Sequence, residues 1–156
     1  DMEFIIFLGK LDKDILELLT KANYIVEENK IECLLNKEIR GLHNLKEKKI
    51  IICTENAKRK TNYRERKNHS NNDNFKTKRT IRKALRHEAI HVIQKCNGNK
   101  TVGDIKELEN KLHKNKIKAL NFSTSKFAGT YAKEVEAYIL EDSPRKVKEL
   151  LKIYCL

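Results

Sequence analysis

Two histidines and a glutamate stand within five residues of one another, in His87-Glu88-Ala89-Ile90-His91. On a helix, residues i and i+4 lie about 40° apart and one turn up, so both imidazoles can grip one Zn²⁺ from the same side. Glu88 lies about 60° from His91, close enough to reach a water on that metal without being a ligand. Zinc lowers the pKa of such a water towards about 7, and a carboxylate beside it can then take the proton. A random chain of this composition would show H-E-x-x-H about 1–2% of the time. Two histidines and a glutamate in an apolar helix are also expensive unless paired or coordinated.

A zinc hydrolase needs a third protein ligand and an open fourth position. The metzincin extension of the motif would require Gly at position 94 and His at position 97. The chain has Gln94 and Asn97, which excludes it. A Glu from a later helix is the other solution. Tyr131-Ala-Lys-Glu134-Val-Glu136-Ala137-Tyr138 offers two. Two residues apart on a helix, they point about 200° apart, so only one can face the metal. Glu134 shares a face with Tyr131 and Tyr138 and is the first choice; Glu136 is the second. Tyr131, one turn before Glu134, is a donor that could help stabilise a developing oxyanion, or it is a packed aromatic. His43, His69 and His113 occupy turn-like or polar stretches and are read as lying outside the chemistry.

HEAIHVIQ followed by EVEAY resembles the gluzincin metallopeptidases, in which the downstream Glu often opens an E-x-x-A pattern. Glu134 and Ala137 match it, with Tyr138 where Asp often stands. The resemblance implies zinc ligands His87, His91 and Glu134, one catalytic Zn²⁺, Glu88 as general base and a peptide substrate. GLHNLKEKKIIICTENA is similar to the turn and strand before the active-site helix of such domains. In those enzymes an edge strand holds an extended substrate by main-chain pairing. Lys49 to Cys53 is its counterpart here, unless it is an ordinary core strand.

These residues need elements to carry them. Thr80 to Cys96 is the strongest helix: amphipathic in its first half, apolar on nearly every side from Ala89 to Ile93, and so buried there. Asn97-Gly98 ends it. Asp12 to about Glu28 reads as an amphipathic helix on Ile15, Leu18, Leu19 and Ala22. Lys48 to Thr54 reads as a strand, with 38–43 pairing as a hairpin across a turn at Asn44. Residues 102–118 and Tyr131 to Glu141, capped by Thr130, read as helices with a loop at 121–129 between them. Ser143-Pro144 opens a last helix to Cys155. The expectation is one α+β domain over 1–156, a small mixed sheet packed on the H-E-x-x-H helix, with a mostly helical C-terminal half. Residues 58–78, basic and Asn-rich, read as a flexible insertion within it.

The length of 156 residues suits one core. No apolar run approaches the roughly 20 residues of a membrane helix, which excludes a spanning segment. No secretory signal opens the sequence, which starts at Asp1, so a removed leader stays open. Formal net charge is +12, and residues 56–86 hold twelve Lys/Arg against Glu65 and Asp73. That segment is a solvated surface, a phosphate-binding arm for nucleic acid, or a steering surface for acidic substrates. The four cysteines read as buried thiols of a reducing compartment, which favours the cytoplasm. The rival is one disulfide, for which Cys96 and Cys155 are the first pair to test. The function expected is zinc-dependent peptide hydrolysis. The alternatives are a nucleic-acid-associated protein acting on DNA-bound proteins and a non-catalytic zinc-stabilised module.

Overall fold

Apolar residues of α1 (Lys10–Lys21) recur at helical spacing, so Ile15, Leu18 and Leu19 bury one face. The helix stops seven residues earlier than its periodicity suggested. Asn23 adopts a left-handed backbone (φ 67°), and the Tyr24 N–H reaches back to the Leu19 carbonyl. This six-to-one bond satisfies a terminal carbonyl and turns the chain. The released β-branched pair Ile25-Val26 then opens β1 (Ile25–Glu28), a strand where the sequence suggested more helix.

The computed structural model describes residues 2–65, 74–111, 116 and 131–156. A single 3-10 turn at Glu3–Phe7 precedes α1. After β1 come α2 (Ile31–Leu35), β2 (Gly41–Asn44), β3 (Lys49–Ile52) and α3 (Thr54–Lys60). The chain continues with α4 (Phe75–Cys96), α5 (Ile105–Glu109), α6 (Tyr131–Leu140) and α7 (Pro144–Cys155). The fold is α+β, with a three-stranded mixed sheet and a mostly helical remainder. Among the described residues no helix is long and apolar enough to cross a membrane.

Strand order is β1-β3-β2. β1 runs parallel to β3, with Val26 opposite Ile50; β2 runs antiparallel to it, with His43 opposite Ile50. The hairpin expected from the sequence is therefore present, its turn closed by Lys48 in a left-handed conformation (φ 56°). β3 occupies the centre of the sheet, not its edge. Its apolar run suits burial on both faces: Ile50 and Ile52 join the main core, and Ile51 packs with Cys33, Cys53, Ile39 and Leu42 on the other side. β2 is the edge strand beside α4.

α4 is the axis of the molecule. Ile81, Leu85, Ile90 and Ile93 are fully buried against Phe4, Ile15, Leu19 and Leu151. It begins five residues before the expected start, at Phe75, and α3 covers Lys58–Lys60. Both ends of the segment read as an insertion are thus helical; residues 66–73 lie outside the described residues. Gly98 (φ 70°) ends the run after Cys96 with the expected left-handed turn. The proposed Thr130 cap, His69, His113 and the loop at 121–129 also lie outside the described residues.

Two disulfides replace the expected four thiols. Cys96 joins Cys155, tying the end of α4 to the end of α7, and Cys33 joins Cys53, tying α2 to the end of β3.

Candidate metal centre

His87 and His91 face one side of α4, one helical turn apart, and α6 presents Glu134 to them. His91 Nε2 lies 2.8 Å from Glu134 Oε1, and His87 Nε2 lies 3.3 Å from Glu134 Oε2. The two Nε2 atoms are 3.3 Å apart. One donor atom from each of the three residues falls within 4.8 Å of the others. Metal–nitrogen bonds of about 2.0–2.1 Å at tetrahedral angles separate neighbouring ligand atoms by about 3.3–3.4 Å. The spacing of the imidazoles is compatible with a zinc ion between them, while the 2.8 Å from His91 to Glu134 is that of a direct hydrogen bond.

The far nitrogens fix which atoms face inward. His87 Nδ1 is 3.0 Å from Glu141 Oε1, and an ionised carboxylate only accepts, so Nδ1 donates. His91 Nδ1 is 2.9 Å from Gln94 Oε1. The orientation of that amide is fixed because Gln94 Nε2 donates to the Lys133 carbonyl and to Glu136. His91 Nδ1 therefore also donates. Both Nε2 atoms therefore face the Glu134 carboxylate, an arrangement that calls for a shared proton or a cation between them. The donor set of two imidazoles and one carboxylate fits Zn²⁺.

Glu136, the second choice from the sequence, points the other way. Almost fully buried, it accepts the backbone N–H groups of Val102 and Gly103 and the amide of Gln94. It is a structural anchor that holds Gln94 and, through it, His91. Tyr131, named as an oxyanion donor, opens α6 with its side chain exposed, and the Tyr138 ring lies 4.6 Å from that of His87. Glu141, one turn after Tyr138, also lies against His87.

Glu88 is 5% exposed and sits on the β2 side of α4. Its Oε1 accepts a 2.7 Å hydrogen bond from His43 Nδ1, and the His43 ring lies 4.6 Å from that of His91. His43, set aside in the sequence, is thus part of the cluster. Its signal was weak: a lone histidine whose strand begins only at Gly41. With alternate residues facing alternate sides, Gly41 and His43 both turn towards α4.

Burial pushes the His87 imidazole down, but hydrogen bonds to Glu134 and Glu141 and the charge of Glu88 outweigh it and hold the group well above its ordinary value. The same contest runs in reverse for the carboxylates. Burial raises Glu134, yet the bonds from His87 and His91 take it far below the usual carboxylate range. Burial raises Glu88, and the hydrogen bond from His43 with the charges around it leaves it lowered. Glu88 is thus held as an anion.

The basic segment 56–86 is less available than its charge suggests. Lys58 pairs with Glu3 and Glu55, Lys60 with Glu38, and Lys83 with Asp142. Arg82 donates to the Phe7 carbonyl, and Arg86 grips Asp12 through two bonds of 2.7 and 3.0 Å. Among the described residues, these five cations tie the segment to the rest of the molecule.

Among known proteins, no curated protein and no solved structure matches the chain. A family model described as Domain of unknown function (DUF8637) matches residues 4–156. That span takes in both the sheet and every residue of the His87–His91–Glu134 cluster, and the chain belongs to the DUF8637 family.

Proposed function

We propose that the protein is a zinc-dependent metallopeptidase of the gluzincin type. The convergence of His87 Nε2, His91 Nε2 and Glu134 on one point, with Glu88 anionic beside it, carries this reading. Zn²⁺ bound there supplies Lewis acidity to a carbonyl and lowers the pKa of a water towards about 7. Glu88 takes a proton from the attacking water as its oxygen bonds to the scissile carbonyl carbon. Glu88 then gives that proton to the departing amine nitrogen as the C–N bond breaks. The edge of β2 offers main-chain groups to an extended substrate beside α4, the role for which the resemblance made Lys49 to Cys53 the candidate.

The test is zinc stoichiometry by mass spectrometry on the full chain and on His91→Ala and Glu134→Ala, with peptidase assays of wild type and Glu88→Gln. The expected result is about one zinc in wild type, loss of zinc in both ligand variants, and a drop of about 10²–10⁴-fold in kcat for Glu88→Gln with zinc retained. A wild-type protein that takes up no zinc overturns the reading. A zinc-loaded wild type without Glu88-dependent hydrolysis reduces the site to a structural metal centre.

A further inference from the structure

The metal cluster uses both imidazoles of α4, leaving His43 as a third imidazole in the same place without a ligand's role. It lies outside the group of atoms that converge for a cation. It reaches the cluster from the sheet, 45 residues before Glu88. We infer that His43 is a positioning residue for Glu88, and that Gly41 and His43 of β2 together form the cradle that aims the general base. The inference rests on the peptidase reading for its catalytic meaning and on the geometry alone for its structural content.

Each oxygen of Glu88 meets a different residue of the strand. Oε1 accepts from His43 Nδ1 at 2.7 Å. A Cβ added at Gly41 would stand 3.5 Å from Oε2 and 3.3 Å from Cγ of Glu88. Gly41 thus leaves the room in which Glu88 lies, and His43 fixes its rotation. The alternation of the strand makes this possible, since residues i and i+2 share a face. The intervening Leu42 turns to the opposite face and packs with Ile51 and the Cys33–Cys53 bridge. The strand is pinned at its start by the Cys53 N–H bonded to the Arg40 carbonyl at 2.8 Å. His43 is 31% exposed at its side chain and Glu88 6%, so the imidazole reaches solvent where the carboxylate does not. A carboxylate held by one oxygen keeps the other for the water it must deprotonate. The Nδ1 hydrogen is present in the neutral Nδ1–H tautomer and in the imidazolium alike, so the arrangement is independent of the charge on His43.

The decisive variants are His43→Asn, whose side-chain N–H falls close to the position of Nδ1, His43→Gln, whose N–H falls nearer to that of Nε2, and His43→Ala. All are made in the full chain and loaded with zinc. Expected are one zinc in each, a fall of about 10²-fold in kcat with little change in KM for His43→Ala and His43→Gln, and substantial recovery in His43→Asn. Gly41→Ala, which crowds Glu88 by a few tenths of an ångström, moves kcat in the same direction. The second readout needs no turnover: nitrogen-15 NMR of the imidazoles. It should show His43 Nδ1 protonated and its hydrogen slow to exchange in wild type, with that protection lost in Glu88→Ala. A His43→Ala protein with unchanged kcat, a bare Nδ1, or loss of zinc on replacing His43 each overturns the inference, the last by making His43 a ligand. If wild type binds zinc and cleaves no peptide, the peptidase reading falls, and the NMR result alone decides whether His43 holds Glu88.

Discussion

Gln94 and Glu141 decide which nitrogen of each histidine faces Glu134 and would be offered to a metal there. Each accepts from an Nδ1, and each therefore fixes a tautomer as well as a ring plane. Outer partners of this kind typically change metal affinity by about 10–100-fold when removed. Glu141→Ala is expected to weaken zinc binding by about that factor with the fold intact, measured by competition against a chromophoric chelator. An unchanged affinity would show that packing against Tyr138 orients His87 by itself. His87, Glu88 and His91 were legible in the sequence because their relation is local, a matter of helical spacing. Glu134 needed the helical-face argument and the resemblance. His43 and Glu141 were not legible, because their meaning depends on contacts 45 and 54 residues distant.

At the scale of elements, α4 carries His87, Glu88 and His91, and the rest of the molecule holds α4 in place. Arg86, directly before His87, binds buried Asp12 of α1 and the Glu141 carbonyl beyond α6. One side chain thus joins the element that carries the histidines to the segment that orients one of them. Leaving such a buried partner unpaired typically costs about 3–5 kcal/mol. A weaker tie, Lys148 to Asp14, links α7 to α1 at the surface. The hydrogen bond from Lys148 lowers Asp14 from its usual 3.8, against a smaller opposing effect of burial. A carboxylate lowered in the folded state stabilises it fully above the unfolded value and loses that contribution as pH falls through the folded one. Asp14→Asn should therefore lower Tm slightly at neutral pH, and the difference from wild type should vanish well below pH 3.8. A difference that persists in acid would assign the effect to packing. Periodicity located most of these elements, and it failed where a single backbone conformation intervened. Asn23 ended α1 before its apolar pattern ran out, and the centre of the sheet went to β3 because β1 was hidden in that overextended helix.

For the whole molecule, the covalent bridges matter as much as the core. The sequence pointed to Cys96 and Cys155 as a pair, but spacing alone gave no reason to join Cys33 to Cys53, whose proximity arises only when β3 passes α2. The Cys96–Cys155 bridge spans 59 residues and the Cys33–Cys53 bridge 20. By the chain-entropy account they stabilise by about 4 and about 3 kcal/mol respectively. Urea unfolding of the two Cys→Ser double variants should show the larger loss for the 96–155 pair, and the reverse order would mean that local packing outweighs loop length. The longer bridge has another consequence. Glu134 and Glu141 lie inside the ring it closes, whereas His87 and His91 lie on the chain leading into it. A single cleavage of the backbone anywhere between residues 97 and 154 would leave two polypeptides still joined through sulfur. Covalent connection between the segment that carries the histidines and the segment that carries Glu134 therefore does not depend on an unbroken main chain once the protein is oxidised: a protein nicked in this stretch would still migrate as one molecule until its disulfide is reduced.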